Sequence, residues 1–309
     1  MPTQPVSGLL PTSRSADVQN VLDTLAEGVE ATVRFGTHVL MWHSEASAGK
    51  QDEVMPVVMI FRHMLEMLDS VSILIRASSI EPAKLPLRTA FEAAAQVEWL
   101  IQTDTDRRGM AFMVWHAHHR LGLYRRFDRT TQQGKELASK LSGTVYDNID
   151  ATERFDLTAA RANLESLLSN PRYVEAAREY ERLKRKMRRG PQWFQLFGGP
   201  DSIEQLAARV SMADWYQILY RDWSGVVHAT DVITGKVSSR NQSTEIRQLR
   251  WAGGAGAVYN FAVSLALSTF RHLTAATMPQ RSDLVRKWYI DEVRPLYHSV
   301  SGEPDVWRD

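Results

Sequence analysis

The sequence has no cysteine among its 309 residues. Disulfides, thiolate metal sites and cysteine nucleophiles are therefore excluded, and a reducing cytoplasm is the expected setting. Long apolar runs are missing too. The most membrane-like stretch, VYNFAVSLALSTF at 258–270, is too short to span a bilayer and stops at Arg271 and His272. The first residues, MPTQPVSGLLPTSRSAD, lack a basic start followed by an apolar core, so no secretory signal is expected. Neither sign of charge is in excess. At a net charge of +1, no global field directs the chain to nucleic acid or membrane, and any anion binding has to come from a local patch.

Period-two alternation is nearly absent, with TDVITGKVSS at 230–239 as the best strand candidate. No repeat of fixed period stands out. There is no Gly-x-Ser-x-Gly elbow. WAGGAGAVY at 251–259 has no strand before it and no Lys-Ser/Thr after it, so it reads as a close helix contact rather than a phosphate loop.

Helical periodicity is what remains. Val18, Val21, Leu22, Leu25, Val29, Val33 and Leu40 recur at helical spacing from Asp17. A second helix is expected from Glu53 to about Ala77, with Pro56 in its first turn. SSIEPAKLP breaks it, and LRTAFEAAAQVEWLIQT at 87–103 forms a third. A fourth starts near Asp104. Residues 131–199 are more polar, with short helices at DLTAARANLESLLSNP and YVEAAREYERLKRKMRR. SIEQ at 202–205 fits a capping box, and another helix starts near Met212. A long helix is expected from about Thr244 to Ala276, and a last one over SDLVRKWYIDEVRPLY. The expected fold class is all-α. A flexible tail at 1–16 precedes one helical domain over 17–309, a bundle of 17–130 and 200–297 with 131–199 inserted.

The stretch YRDWSGVVHAT at 220–230 holds the most specific chemistry. On a continuous helix Gln217, Arg221, Ser224 and His228 share one face, beside an aromatic and apolar stripe of Tyr216, Tyr220, Trp223 and Val227. A guanidinium grips a phosphate through two nitrogens. An imidazole takes a proton from a hydroxyl near neutral pH. Those are the two parts of a metal-free ribonuclease. The alternative is a structural polar row, and an isolated Arg-x6-His pair arises readily by chance.

Arg88 and Glu92 stand one turn apart on an otherwise apolar helix. They form either an intrahelical ion pair or a device in which Glu92 orients His228 or Arg221. His116 and His119 share a face, but no Glu-x-x-His or His-Glu-x-x-His pattern accompanies them, so neither a metal nor another cofactor is expected. REYERLKRKMRR at 178–189 has seven basic and two acidic residues. Arg182, Lys184, Arg185, Lys186, Arg188 and Arg189 are its candidate phosphate contacts. Trp193 and Phe194 either stack bases or anchor their loop.

RDWSGVVH resembles the Arg-(x4–6)-His signature of the HEPN (higher eukaryotes and prokaryotes nucleotide-binding) superfamily, with Asp222 as the polar residue after the arginine. HEPN domains are helical bundles, and many are dimeric, metal-independent endoribonucleases. The resemblance implies Arg221 and His228 as the catalytic pair and a homodimer with a composite site. A second resemblance covers roughly 50–235. LRTAFEAAAQVEWL, PQWFQLFGGPDSIEQLA and DWYQILYRDWSGVVHAT are similar to a bacterial domain family of unknown function numbered 5677, which has an Arg-x3-Glu helix, a tryptophan before a short capped helix, and a Tyr-x7-Ser-x3-His helix. The matching positions are Arg88 and Glu92, Trp193, and Tyr216, Ser224 and His228. This family supports the fold and a shared site rather than a reaction.

Two functions follow as expectations. One is a HEPN-like toxin or antiphage-defence endoribonuclease in the cytoplasm, acting on RNA with Arg221, His228, Ser224, Glu92 and Arg88 in its site and an antitoxin or defence protein as partner. The other is a non-catalytic helical module that binds a nucleotide or a partner, with the same residues as a structural network.

Overall fold

The structure is a computed structural model that describes residues 3–6, 8–11, 13–49, 51–145, 147, 157–227, 230, 232–234, 236–240 and 243–301. It is all-α apart from one short hairpin among the described residues. The chain forms two compact units, one from Met1–Thr103 with Ile203–Asp309 and one from Asp104–Ser202.

In the first unit, α1 (Ala16–Ala46) starts where the Ser15 hydroxyl accepts the Val18 N–H, with Asp17 favourably placed at the positive end of the helix dipole. Val21, Leu22, Leu25, Val29 and Val39 are buried along one stripe, while Val33 and Leu40 are only partly covered. Two glycines set how closely neighbours approach α1. A Cβ on Gly28 would lie 2.6 Å from the Tyr259 ring, and one on Gly36 would lie 2.4 Å from the Leu65 side chain.

Helix α2 (Gln51–Arg76) begins earlier than its sequence suggests, so Pro56 lies inside it rather than in the first turn. The break after it is only three residues. Ser78 takes a left-handed conformation (φ 58°), and the Ser79 N–H closes on the Leu74 carbonyl at 2.8 Å. Helix α3 (Ile80–Gln102) therefore starts seven residues before the expected Leu87, with Pro82 in its first turn and Pro86 inside. It is apolar on nearly every side, from Ile80, Leu87 and Phe91 to Val97, Trp99 and Leu100, and it is correspondingly central.

The inserted unit consists of α4 (Thr105–Phe127), α5 (Gln132–Leu141), α6 (Leu157–Ser169), α7 (Val174–Lys184) and a 3₁₀ segment Trp193–Gly198. This unit begins at Asp104, ahead of the expected insert start at 131. The reason is the apolar face of α4. Ala111 and Val114 pack with Tyr173, Ala176, Tyr180 and Leu196 in a core of the unit's own.

The first unit resumes with α8 (Ile203–Arg209). A helix in three parts follows: α9 (Ala213–Trp215), a π segment (Tyr216–Arg221) and α10 (Asp222–Val227). Strands β1 (Val237–Arg240) and β2 (Ser243–Ile246) pair antiparallel, Val237 opposite Ile246. The expected helix from Thr244 is therefore a strand and a loop first, and α11 (Ala255–Thr277) begins only after Gly254, which caps it at φ 87°. Its Val258, Tyr259, Ala262, Leu265 and Phe270 fill the core beside α1 and α3. Helix α12 (Ser282–Trp288), a π segment (Tyr289–Val293) and α13 (Arg294–Ser301) complete the unit, with Trp288 stacked on Phe35 at 4.2 Å. No helix among the described residues is long and apolar enough to cross a membrane.

The N-terminal segment is better anchored than its composition suggests. Leu249 donates its N–H to the Leu9 carbonyl at 2.8 Å, and Arg14 donates to the Ala77 carbonyl at 2.7 Å.

His43 is one polar group inside this core. It is 2% exposed, its Nδ1 lies 3.1 Å from the Thr277 hydroxyl, and its Nε2 has no partner. Burial lowers its pKa from 6.5 to about 4. The unfolded chain therefore takes up this proton at a higher pH than the folded one. Stability from this residue is complete above 6.5 and is lost as pH falls towards 4, by up to about 3 kcal/mol. Thermal melts of wild type and His43→Leu across that range should diverge, the variant losing less stability on acidification. Parallel pH profiles would contradict the assignment.

Candidate functional site

The candidate site lies where α3 meets the helix that carries the π segment. Arg88 and Glu92, with Lys84 one turn before, are the charged residues of α3 that face this helix. Alanines on the neighbouring turns, 90 and 93–95, are buried and keep the surrounding surface apolar. Arg88 Nη2 lies 3.9 Å from Glu92 Oε1, with the two side chains 14% and 33% exposed. A contact that long, on a partly wet carboxylate, contributes little alone.

The stronger partner is Tyr220. The Arg88 guanidinium sits 4.0 Å from the centre of its ring, a cation–π stack. The phenol also lies in the fields of both Glu92 and Arg88. Burial, then the negative field of Glu92, raises the Tyr220 pKa, so the phenol stays protonated and can donate to the carboxylate. Tyr216 stacks on Tyr220 at 5.0 Å, and Phe91 packs at 5.9 Å. Nearby, the Lys84 ammonium lies 5.7 Å above the Trp223 ring and pairs with Glu81 at 2.6 Å. Arg88 Nε is buried with no hydrogen-bond partner, so part of this guanidinium's donor capacity is unused.

Arg221 behaves differently. It ends the π segment, is exposed, and donates from Nη1 to Gln217 Oε1 at 3.3 Å. Gln217 in turn donates to Glu204 at 3.3 Å. Glu92 therefore engages Arg88 and Tyr220, while Arg221 points to another set of neighbours. Ser224 is partly buried on α10. The helix continues unbroken from Arg221 to Val227. His228 lies outside the described residues.

The π segment was not visible in the sequence. It inserts a wider turn between Tyr216 and Arg221 and shifts which residues face inward. Leu219 and Trp223 become the buried contacts, at 0% and 6% exposure, while Tyr216 and Tyr220 sit at the edge. Tyr220 as the bridge between Arg88 and Glu92 was the missed element. The available signal was an arginine and a glutamate one turn apart on an apolar helix, which need a polar partner from another element.

The basic run belongs to the inserted unit. Arg182 is held by Glu179 through two bonds of 2.6 and 2.7 Å, and Lys184 meets Glu181 at 3.3 Å. Arg185, Lys186, Arg188 and Arg189 follow the helix end, are exposed, and make no ion pair among the described residues. They are the better placed four for a phosphate backbone. Trp193 and Phe194 are 1% and 5% exposed, with Trp193 edge-on to Phe112 at 5.6 Å, so they anchor their loop. His116 stacks on Phe112, His119 on Trp115 and His118 on Tyr180. Among the described residues no cluster of three His, Asp or Glu could hold a metal ion.

Substitutions at the bridge separate its parts. Tyr220→Phe keeps the stack and removes the hydroxyl, and should lower the unfolding free energy by about 1 kcal/mol in urea titrations. Arg88→Ala removes the stack and leaves Glu92 without its cation, and should cost more, about 2 kcal/mol. Equal stability of all three proteins would show that the bridge is not formed.

A family model of unknown function, DUF5677, matches residues 54–244. The span runs from α2 through the inserted unit to β2 and includes Arg88, Glu92, Tyr220, Arg221 and Ser224. No curated protein and no solved structure matches the chain. With more than half of its length matched, and with the Arg-x3-Glu helix and the tyrosine-bearing helix packed together, the chain belongs to the family of unknown function DUF5677.

Proposed function

We propose that this protein is a HEPN-like, metal-independent endoribonuclease, working in the cytoplasm as a toxin or antiphage-defence effector. The observation that carries the reading is Arg221, an exposed guanidinium with no acidic partner among the described residues, on a helix that runs unbroken towards His228. A cation left without a carboxylate is free to take a phosphate.

In this reading the 2′-hydroxyl of the substrate RNA attacks the adjacent phosphorus. His228 accepts the hydroxyl proton, or delivers a proton to the departing 5′-oxygen. Arg221 holds the non-bridging oxygens as charge builds on the phosphorane. The P–O5′ bond breaks, leaving a 2′,3′-cyclic phosphate and a 5′-hydroxyl. Ser224 lies on the helix between the two. Arg88, Glu92 and Tyr220 are positioning residues that fix the helix carrying Arg221. A homodimer would supply a second Arg221 and His228 to a composite site, as the HEPN resemblance implies. Arg185, Lys186, Arg188 and Arg189 would contact RNA phosphates, with Arg182 and Lys184 contributing less because each already has a glutamate.

One observation favours the other reading. The Arg88 guanidinium is mostly buried and committed to Tyr220, as in a structural network. A non-catalytic module binding a nucleotide or a partner protein would use the same helices without His228 chemistry.

The two readings part on activity. Purified protein should cleave RNA in the presence of EDTA. His228→Ala should lower the rate by about 10²–10⁴-fold without changing the melting temperature. Arg221→Lys should lower it about 10²-fold, because an ammonium cannot reproduce a two-point grip. Expression of wild type but not His228→Ala should arrest growth. A well-folded protein that leaves RNA intact, with wild type and His228→Ala alike in cells, would favour the binding module.

A further inference from the structure

A second site stands apart from the helix that carries Arg221. In the first unit, the segment before α1, the turn between α2 and α3, and the loop before α11 border an open-sided cavity of about 340 Å³. Arg14, Arg250 and Trp251 line it, together with Ser15, Ser78 and Gly253. We propose that this cavity binds the phosphate group of a small phosphate ester, held between Arg14 and Arg250 at the N-terminus of α1.

Four features point to an anion. First, two guanidinium groups lie on the wall and no carboxylate does. Their proximity is felt: burial, then the like charge of Arg250, lowers the pKa of Arg14. Like charges held together without an acid between them are unfavourable unless an anion joins them. Second, Arg14 is fixed by neutral acceptors. Its Nη1 donates to Gln19 at 2.9 Å and its Nη2 to the Ala77 carbonyl at 2.7 Å. The side chain is thereby placed while its charge stays uncompensated. Third, α1 is 31 residues long and presents its N-terminus here, where backbone N–H groups and the helix dipole favour negative charge. Asp17 in its first turn is not on the cavity wall. Fourth, Ser78 is fully buried and lines the cavity, yet its hydroxyl has no hydrogen-bond partner. A buried hydroxyl left unpaired is costly, and a phosphate oxygen would satisfy it.

The volume sets the class of ligand. At about 340 Å³ the cavity is within the range of small-molecule sites and larger than a bare phosphate needs. Trp251 supplies an apolar wall for the rest of the ester. Its position is constrained, since a Cβ on Gly253 would lie 2.2 Å from the indole nitrogen. The glycines of WAGGAGAVY thus let the loop fold tightly around Trp251. The matched family span, 54–244, includes Ser78 but neither arginine nor Trp251. None of these residues belongs to the proposed ribonuclease machinery, so the two proposals stand or fall separately.

Isothermal titration with the intact protein at constant ionic strength tests the site. Inorganic phosphate, AMP and adenosine are the probes. Phosphate or AMP should bind and adenosine should not. Arg250→Ala, an exposed position, should weaken binding at least about tenfold. Ser78→Ala should also weaken it without lowering the melting temperature of the free protein, since the hydroxyl has no partner to lose. If no phosphate-bearing probe binds, if adenosine binds as well as AMP, or if Arg250→Ala binds AMP as wild type does, the proposal is wrong.

Discussion

Helix α3 has almost no side that faces water, and this constrains everything placed against it. Of the pair at the site, Glu92 keeps partial access to water, but Arg88, at 14% exposure, cannot rely on solvent for neutralisation. Tyr220 offers the guanidinium a ring face, and its protonated phenol stands in the field of the carboxylate. The next residue, Arg221, is then turned away from α3 and towards solvent. The polarity inside the contact fixes the orientation of the helix, and that orientation exposes Arg221.

The π segment is what makes this geometry available. With ordinary helical turns, Tyr216, Tyr220 and Trp223 would form one inward stripe. The wider turn lets Leu219 and Trp223 fill the core and leaves Tyr220 at the edge, where its hydroxyl can reach charged partners. π turns are found often at functional positions because they trade regular packing for the placement of one side chain.

Much of the architecture was legible in the residues, and the failures have physical causes. The all-α class, α1 and α4 followed from periodicity that is local. The start of α3 was misplaced because Pro82 and Pro86 looked like a break, although the first turn does not use the N–H that Pro82 lacks and α3 carries Pro86 in its interior. Strand β1 overlaps the end of the TDVITGKVSS candidate, but β2 was absorbed into a longer helix because nothing in a short polar strand outweighs the strong period of α11 behind it. The boundary at Asp104 could not be read at all, since α4 is a good helix whichever core it joins. For the site, the exposed Arg221 and the pairing of Arg88 with Glu92 were within reach of spacing arguments. The Tyr220 bridge and the Arg14–Arg250 cavity were not. They depend on contacts between residues more than a hundred positions apart, and in the second case on a proline-rich segment that composition alone describes as loose.

The chemistry proposed for Arg221 and His228 needs one atom of the substrate above all, the 2′-oxygen. A short RNA with a single 2′-deoxy substitution at its cleavage position, compared with the all-ribose strand by mass spectrometry, tests that need directly. The account predicts that the all-ribose strand is cut to a fragment ending in a 2′,3′-cyclic phosphate and that the 2′-deoxy strand survives at that position. Cleavage of both strands at the same bond, or of neither, would contradict it.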